Sequence, residues 1–258
     1  MPMETIIKQT REVGTSAGVL LPRSWLNKQV VVTLFKPSKE KILQDIIGCL
    51  FKHNLNEEVK GVYLYGSYAR EDSDFNSDID ILIITQNTNK LINYGNYEIL
   101  LVSENSFSKN LLNNLNYLSF LKEMKVILNK ELIEKYKTKE YNFNIQKNLS
   151  EIKGVLKINQ ESINMCKENN LKLPDGVAYS IVLRLRELYI MKCLFSKKHY
   201  SKKDFLEFIG DRAYSAYLRI KRNEKELNNL SPDELRNLVE LSKKWLKELK
   251  EQKKVLKV

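Results

Sequence analysis

A chain of 258 residues with 43% hydrophobic residues can bury one sizeable core and supports a second, so two domains with an appendage are expected. The longest apolar segment, Val177 to Phe195, is interrupted by Arg184, Arg186, Glu187 and Lys192, which argues against a membrane span. The net charge of +11 attracts nucleotides or nucleic acid over long range whatever the fold, so weak, sequence-indifferent nucleic-acid binding is expected. Seven lysines lie in the last sixteen residues, so part of that excess belongs to the final helix and its tail. Cys49, Cys166 and Cys193 are odd in number, without short metal-binding spacing, and Met1-Pro2-Met3-Glu4 opens no basic-then-apolar leader. Both features suit a reduced, cytoplasmic protein.

In chain order, residues 5–35 read as a small β unit with strands at Thr5-Ile6-Ile7, from Val13 to Pro22, and from Val30 to Phe35. Gly14 and Gly18 mark a turn or bulge, Pro22 opens a single helical turn through Trp25, and Asn27 can take the left-handed conformation that ends it. The run from Val13 to Leu26, Val-Gly-Thr-Ser-Ala-Gly-Val-Leu-Leu-Pro-Arg-Ser-Trp-Leu, resembles the AbrB-like swapped-hairpin family, whose members commonly dimerise and often bind DNA. The resemblance implies a homodimer, and any DNA contact would fall to Lys8, Arg11 and Arg23.

Pro37-Ser38 reads as a joint, followed by a helix over residues 39–54 with apolar positions at helical spacing. The apolar run Val62 to Tyr65 then leads into Gly66-Ser67, ten residues intervene, and Asp78-Ile79-Asp80 opens a second apolar run. That order reads strand, tight turn, short helix, strand. Period-two geometry would set Asp78 and Asp80 side by side while Ile79 and Ile81 point into the core. Paired carboxylates suit a hard divalent cation, magnesium in particular, which favours a few carboxylates plus phosphate oxygens. A Gly-Ser turn at a helix start offers N–H groups and a hydroxyl to those phosphates.

This combination, with Gly66-Ser67-Tyr68-Ala69-Arg70, resembles the DNA polymerase β-like nucleotidyltransferase superfamily, and in particular its small prokaryotic and archaeal members. The resemblance implies a third carboxylate from the next strand, where Glu98 in Tyr97-Glu98-Ile99 matches; Glu104 reads better as the first turn of the following helix. After a polar Asn-rich loop and the strand at 97–102, the pattern predicts one helix over 106–124, a strand at 125–128 and a closing helix at 131–136. The remainder reads as antiparallel helices, 145–169, 177–195, a short one from Ser201, 212–224, and a last one announced by Ser231-Pro232-Asp233-Glu234. The order of core then bundle resembles kanamycin nucleotidyltransferase and the HEPN bundles in architecture. His199 lies thirteen residues after Arg186, outside the HEPN ribonuclease spacing, so ribonuclease activity is not expected.

The expected fold is therefore α+β: an N-terminal β hairpin unit (1–37), a nucleotidyltransferase core with a mixed sheet (38–139) and a C-terminal helical bundle (140–258). The resemblance implies transfer of a nucleoside monophosphate, AMP, from a Mg-NTP, ATP, to a hydroxyl acceptor with release of pyrophosphate. Asp78, Asp80 and Glu98 would be catalytic and hold two Mg2+ ions, while Gly66, Ser67, Arg70 and Arg184 would bind the nucleotide. The rival expectation is a DNA-binding regulator or antitoxin-like protein that keeps the core as a scaffold.

Overall fold

The computed structural model describes residues 6, 8, 10–32, 37–73, 77–141 and 145–251. The chain divides into two compact units, one holding the N-terminal hairpin and the first helix, the other the main sheet and all later helices. In the first, β1 (Arg11–Val13) and β2 (Ser16–Gly18) pair antiparallel around a turn in which Gly14 takes φ +60°. The helical turn at Arg23–Trp25 follows Pro22, and Asn27 ends it at φ +60°, as the sequence predicts. The third strand does not form in the described residues: Val30, Val31 and Val32 are outside any strand, as is Ile6. Thr5, Ile7 and residues 33–35 lie outside the described residues. Three-residue strands cannot bury a face by themselves. Helix α1 (Lys39–Lys52) starts at Ser38, whose hydroxyl accepts from Lys41 N, and buries Ile42, Ile46, Cys49 and Leu50 along one stripe.

The second unit is built on a five-stranded mixed sheet. Its strands are β3 (Val59–Tyr65), β4 (Ile79–Thr85), β5 (Lys90–Tyr94), β6 (Tyr97–Ser103) and β7 (Lys125–Leu128), in the order β5-β6-β4-β3-β7. β4 and β6 run parallel; every other neighbouring pair is antiparallel. β4 is central, and Ile81 to Thr85 are all buried, which explains its unbroken apolar run. The Asn-rich segment expected as loop contains β5. Its pairing with β6 closes through Gly95-Asn96, with Gly95 at φ +61°, a two-residue hairpin signal present in the sequence.

Helix α2 (Gly66–Arg70) follows β3 directly, and α3 (Glu104–Asn113) follows β6. The single helix expected over 106–124 is two, α3 and α4 (Leu115–Glu123). Asn114 between them is extended, and its side chain accepts from Asn116 N to start the second. Helix α5 (Lys130–Lys137) closes the sheet region. Five helices follow: α6 (Gln146–Glu168), α7 (Asp175–Phe195), α8 (Lys202–Ile209), α9 (Asp211–Lys221) and α10 (Pro232–Glu251). α7 packs on α4, α6, α8, α9 and α10, as its nearly all-round apolarity requires. Both halves of the predicted capping box form, with Ser231 N–H donating to Glu234 and Glu234 N–H to the Ser231 hydroxyl. One continuous apolar core runs from Tyr63, Leu82 and Val102 of the sheet through Phe107 and Leu118 to Leu185, Met191 and Trp245 of the helices.

The polar lock of this helical region is Asp175, fully buried at the start of α7. Its carboxylate accepts from Arg219 Nε at 2.7 Å and from Leu227 N at 3.0 Å, and its own N–H donates to Glu226 and Asn228. It holds the α9–α10 connection under α7. Removing one partner of such a pair strands the other charge at a cost of about 3–5 kcal/mol. Asp175→Asn is accordingly expected to lower the melting temperature by roughly 6–20 °C at the conversion appropriate to a chain of this size. A loss within a degree or two by calorimetry would show that the pair is dispensable.

Candidate active site

The site grows from the end of β3. Tyr65 lies opposite Asp80 of β4, and the next residue, Gly66, turns the chain into α2 at φ +71°. A Cβ on Gly66 would sit 1.9 Å from Asp80 Oδ2 and 2.7 Å from its Cγ, so the position is closed to any side chain by sterics as well as by backbone conformation. Gly66 N–H donates to Glu123 Oε1 at 3.0 Å. α2 then ends after one turn at Glu71, which is left-handed at φ +66°.

The carboxylates gather on the same edge. In the parallel pairing of β4 and β6, Asp80 lies directly opposite Glu98, and Asp78 stands exposed two residues upstream, just before β4 begins. Burial, then the neighbouring Glu98, push the Asp80 carboxyl up to about 6, with Asp78 adding to the effect; Lys221 and Arg70 oppose it. Glu104, the rejected third carboxylate, is at the far end of β6. It accepts from Lys60 Nζ at 2.8 Å and Tyr136 OH at 3.2 Å, and the Lys60 bond holds its carboxyl below the usual range.

Among the described residues no three His, Cys, Asp or Glu side chains converge closely enough to form a ready metal cage. The donor set nonetheless fits magnesium, which is bound through one or two carboxylates plus substrate phosphates rather than in an all-protein cage. A carboxylate destabilised by two like charges is one that a cation relieves.

Arg70 and Arg184 are placed differently. Arg70 donates through Nη1 to Glu123 at 2.9 Å and through Nε to Asp72 at 3.1 Å, and its guanidinium lies 5.0 Å from the centre of the Tyr200 ring. Arg184 pairs with Glu187 one turn along α7 at 2.9 Å. The α7 arginine near Arg70 is Arg186, 5.7 Å from the same Tyr200 ring and hydrogen-bonded with Tyr217. Glu123, Asp72, Tyr200 and Lys221 escape a reading by motif because they come from four separate segments. Only Asp72, two residues after Arg70, lies close enough in sequence to have been noticed.

Residues 44–137 match the family model described as polymerase beta, nucleotidyltransferase. Among solved structures, a nucleotidyltransferase-like protein from Exiguobacterium sibiricum is similar at 13% identity over 80% of this chain and 75% of that one, with a TM-score of 0.34. No curated protein matches the sequence.

Two outcomes follow from the geometry. Gly66→Ala must displace Asp80 or the turn, and is expected to cost about 1–3 kcal/mol of stability; thermal melting against wild type measures it. Asp80 has a folded pKa above its unfolded value, so its ionisation disfavours the fold, and stability declines as pH rises from about 4 to 6. Without divalent metal, Asp80→Asn should therefore melt about 2–4 °C above wild type at pH 7.5, allowing for partial solvent screening, and match it near pH 3.5. A pH-independent difference would contradict the origin assigned to the shift.

Proposed function

We propose, from a chain whose residues 44–137 match the polymerase beta nucleotidyltransferase family model, that the protein moves a nucleoside monophosphate, AMP, from a Mg-NTP to a hydroxyl acceptor with release of pyrophosphate. The observation that carries this reading is the pairing of Asp80 with Glu98 beside a turn that only glycine can make. Asp78, Asp80 and Glu98 are the residues to hold magnesium, two ions in the full assembly. When bound, the metal neutralises triphosphate charge and lowers the pKa of the acceptor hydroxyl. Gly66 keeps the approach to the carboxylates free of side-chain atoms, and the Ser67 hydroxyl is assigned to the β- and γ-phosphates. Arg70 reinforces this charge from behind α2, with Nε and Nη1 already engaged. Arg184 would serve the nucleotide only by sharing its Glu187 partner.

The test is label transfer from radioactive NTPs into cell lysate, with calorimetric Mg-NTP binding. Asp78→Asn, Asp80→Asn and Glu98→Gln should each cost on the order of a thousandfold in rate, the scale of several kcal/mol of lost charge stabilisation. Glu104→Gln should retain the transfer rate. If Asp78→Asn and Asp80→Asn bind Mg-NTP and transfer label as wild type does, the reading is wrong.

The N-terminal unit supports a proposed homodimer. Val13, Leu20, Leu26, Val31 and Val32 are 60–91% exposed, more apolar surface than a free hairpin retains comfortably. Deleting residues 1–36 is expected to yield a monomer by sedimentation. Arg11, Arg23 and Lys8 are exposed on the same unit, which keeps nucleic-acid contact as a second reading. That contact is expected to be weak and salt-sensitive, and tight retention of one duplex over scrambled competitors would instead favour a regulator.

A further inference from the structure

Resting on the nucleotidyltransferase reading above, we infer that Glu123 is a positioning residue that sets the Gly66-Ser67 turn for the nucleotide. Glu123 is the last residue of α4, remote in sequence from the motif, and its side chain is 7% exposed. Its two oxygens take two different donors. Oε1 accepts from Gly66 N at 3.0 Å and Oε2 from Arg70 Nη1 at 2.9 Å. Gly66 is the first residue of α2 and Arg70 the last, so one carboxylate grips both ends of the helix.

That grip matters because a five-residue helix has no stability of its own; its nucleation cost exceeds what one turn of hydrogen bonds returns. A bond to Gly66 N fixes the peptide plane leading into φ +71°, the conformation in which the Asp80 carboxylate can lie against the glycine. The same bond turns the Gly66 amide toward α4, so the Ser67 amide and hydroxyl are the turn's groups for phosphate. Arg70 is held in turn by Asp72 and by the face of Tyr200, which keeps the second half of the grip from rotating away. Glu123 touches neither the carboxylate pair nor, on this reading, the substrate; it acts through the turn.

The experiment uses the full chain as wild type, Glu123→Ala and Glu123→Gln, at a temperature where melting curves show all three folded. Amide hydrogen exchange reads the turn directly, and calorimetry with Mg-ATP reads its consequence. Glu123→Ala should speed exchange at Gly66 tenfold or more while the amides of β4 and α7 keep wild-type protection, and should weaken Mg-ATP binding about tenfold. Glu123→Gln, which keeps an acceptor for Gly66 but turns an NH2 donor toward Arg70 and so releases that end of α2, should fall between wild type and Glu123→Ala in both. Unchanged Gly66 exchange in Glu123→Ala overturns the inference, as does unchanged affinity in a variant whose wild type binds Mg-ATP. A wild type that binds no Mg-ATP sinks the nucleotidyltransferase reading itself. If Glu123→Ala does not fold, Glu123→Asp, one methylene too short to hold both ends of α2, replaces it in both measurements.

Discussion

The contact between Gly66 and the Asp80 carboxylate is the constraint on which the rest of the site depends. It requires a residue without a side chain, in a left-handed conformation, at the point where β3 gives way to α2. It also requires β3 and β4 to be neighbours in a register that brings Tyr65 opposite Asp80. A one-residue slip would reverse every side chain of β4 between the two faces, moving Asp80 away from Gly66 and the buried isoleucines out of the core. The hydrophobic pattern of β4 therefore specifies the geometry of the candidate site as well as the sheet.

A second consequence is electrostatic. Setting Asp80 opposite Glu98, with Asp78 close by, concentrates negative charge where burial already penalises it. Nothing in the packing of the sheet needs those charges, since isoleucine or valine would suit the strands better. Their cost is borne by the fold, and it is partly offset by cations delivered from elsewhere, Arg70 from α2 and Lys221 from the end of α9. A site strained in this way favours the binding of a divalent cation, which supplies the compensating positive charge.

Much of this was legible in the sequence, and for identifiable reasons. Gly66, Asp78 and Asp80 belong to short, local patterns, strand periodicity sets the two aspartates on one face, and Glu98 follows from the family resemblance. The helix starts at Ser38 and Ser231 were equally readable, because capping chemistry is local. β5 was missed because polar asparagines masked a Gly-Asn hairpin signal, and α3 and α4 were merged because a continuous leucine pattern hid the break at Asn114. The third N-terminal strand, expected from β-branched residues, does not form at Val30, Val31 or Val32, since such residues favour strands only where a partner strand is present. Glu123, Tyr200 and Arg186 could not be found by pattern, since their roles come from tertiary placement. Arg184, expected at the nucleotide, pairs with Glu187, whereas the fold turns Arg186 toward Tyr200 and Arg70.

That placement changes how the helical region should be regarded. The sheet and the helices from α6 to α10 share one apolar core, and Tyr200, from the segment joining α7 to α8, lies within cation–π distance of one arginine from α2 and one from α7. Two like-charged guanidiniums can share an aromatic ring only if each has its own compensation. Arg70 has Glu123 and Asp72, while Arg186 has Tyr217 and a buried Nε with no partner among the described residues. The imbalance falls on the helical side of the ring. A shift of α7 or α9 would therefore be felt first at Tyr200, next at Arg70, and through Glu123 at the amide of Gly66. On that argument the helices are part of the means by which the turn is held, through the contacts of Arg186 and Arg70 with Tyr200, of Arg70 with Glu123 and of Glu123 with Gly66.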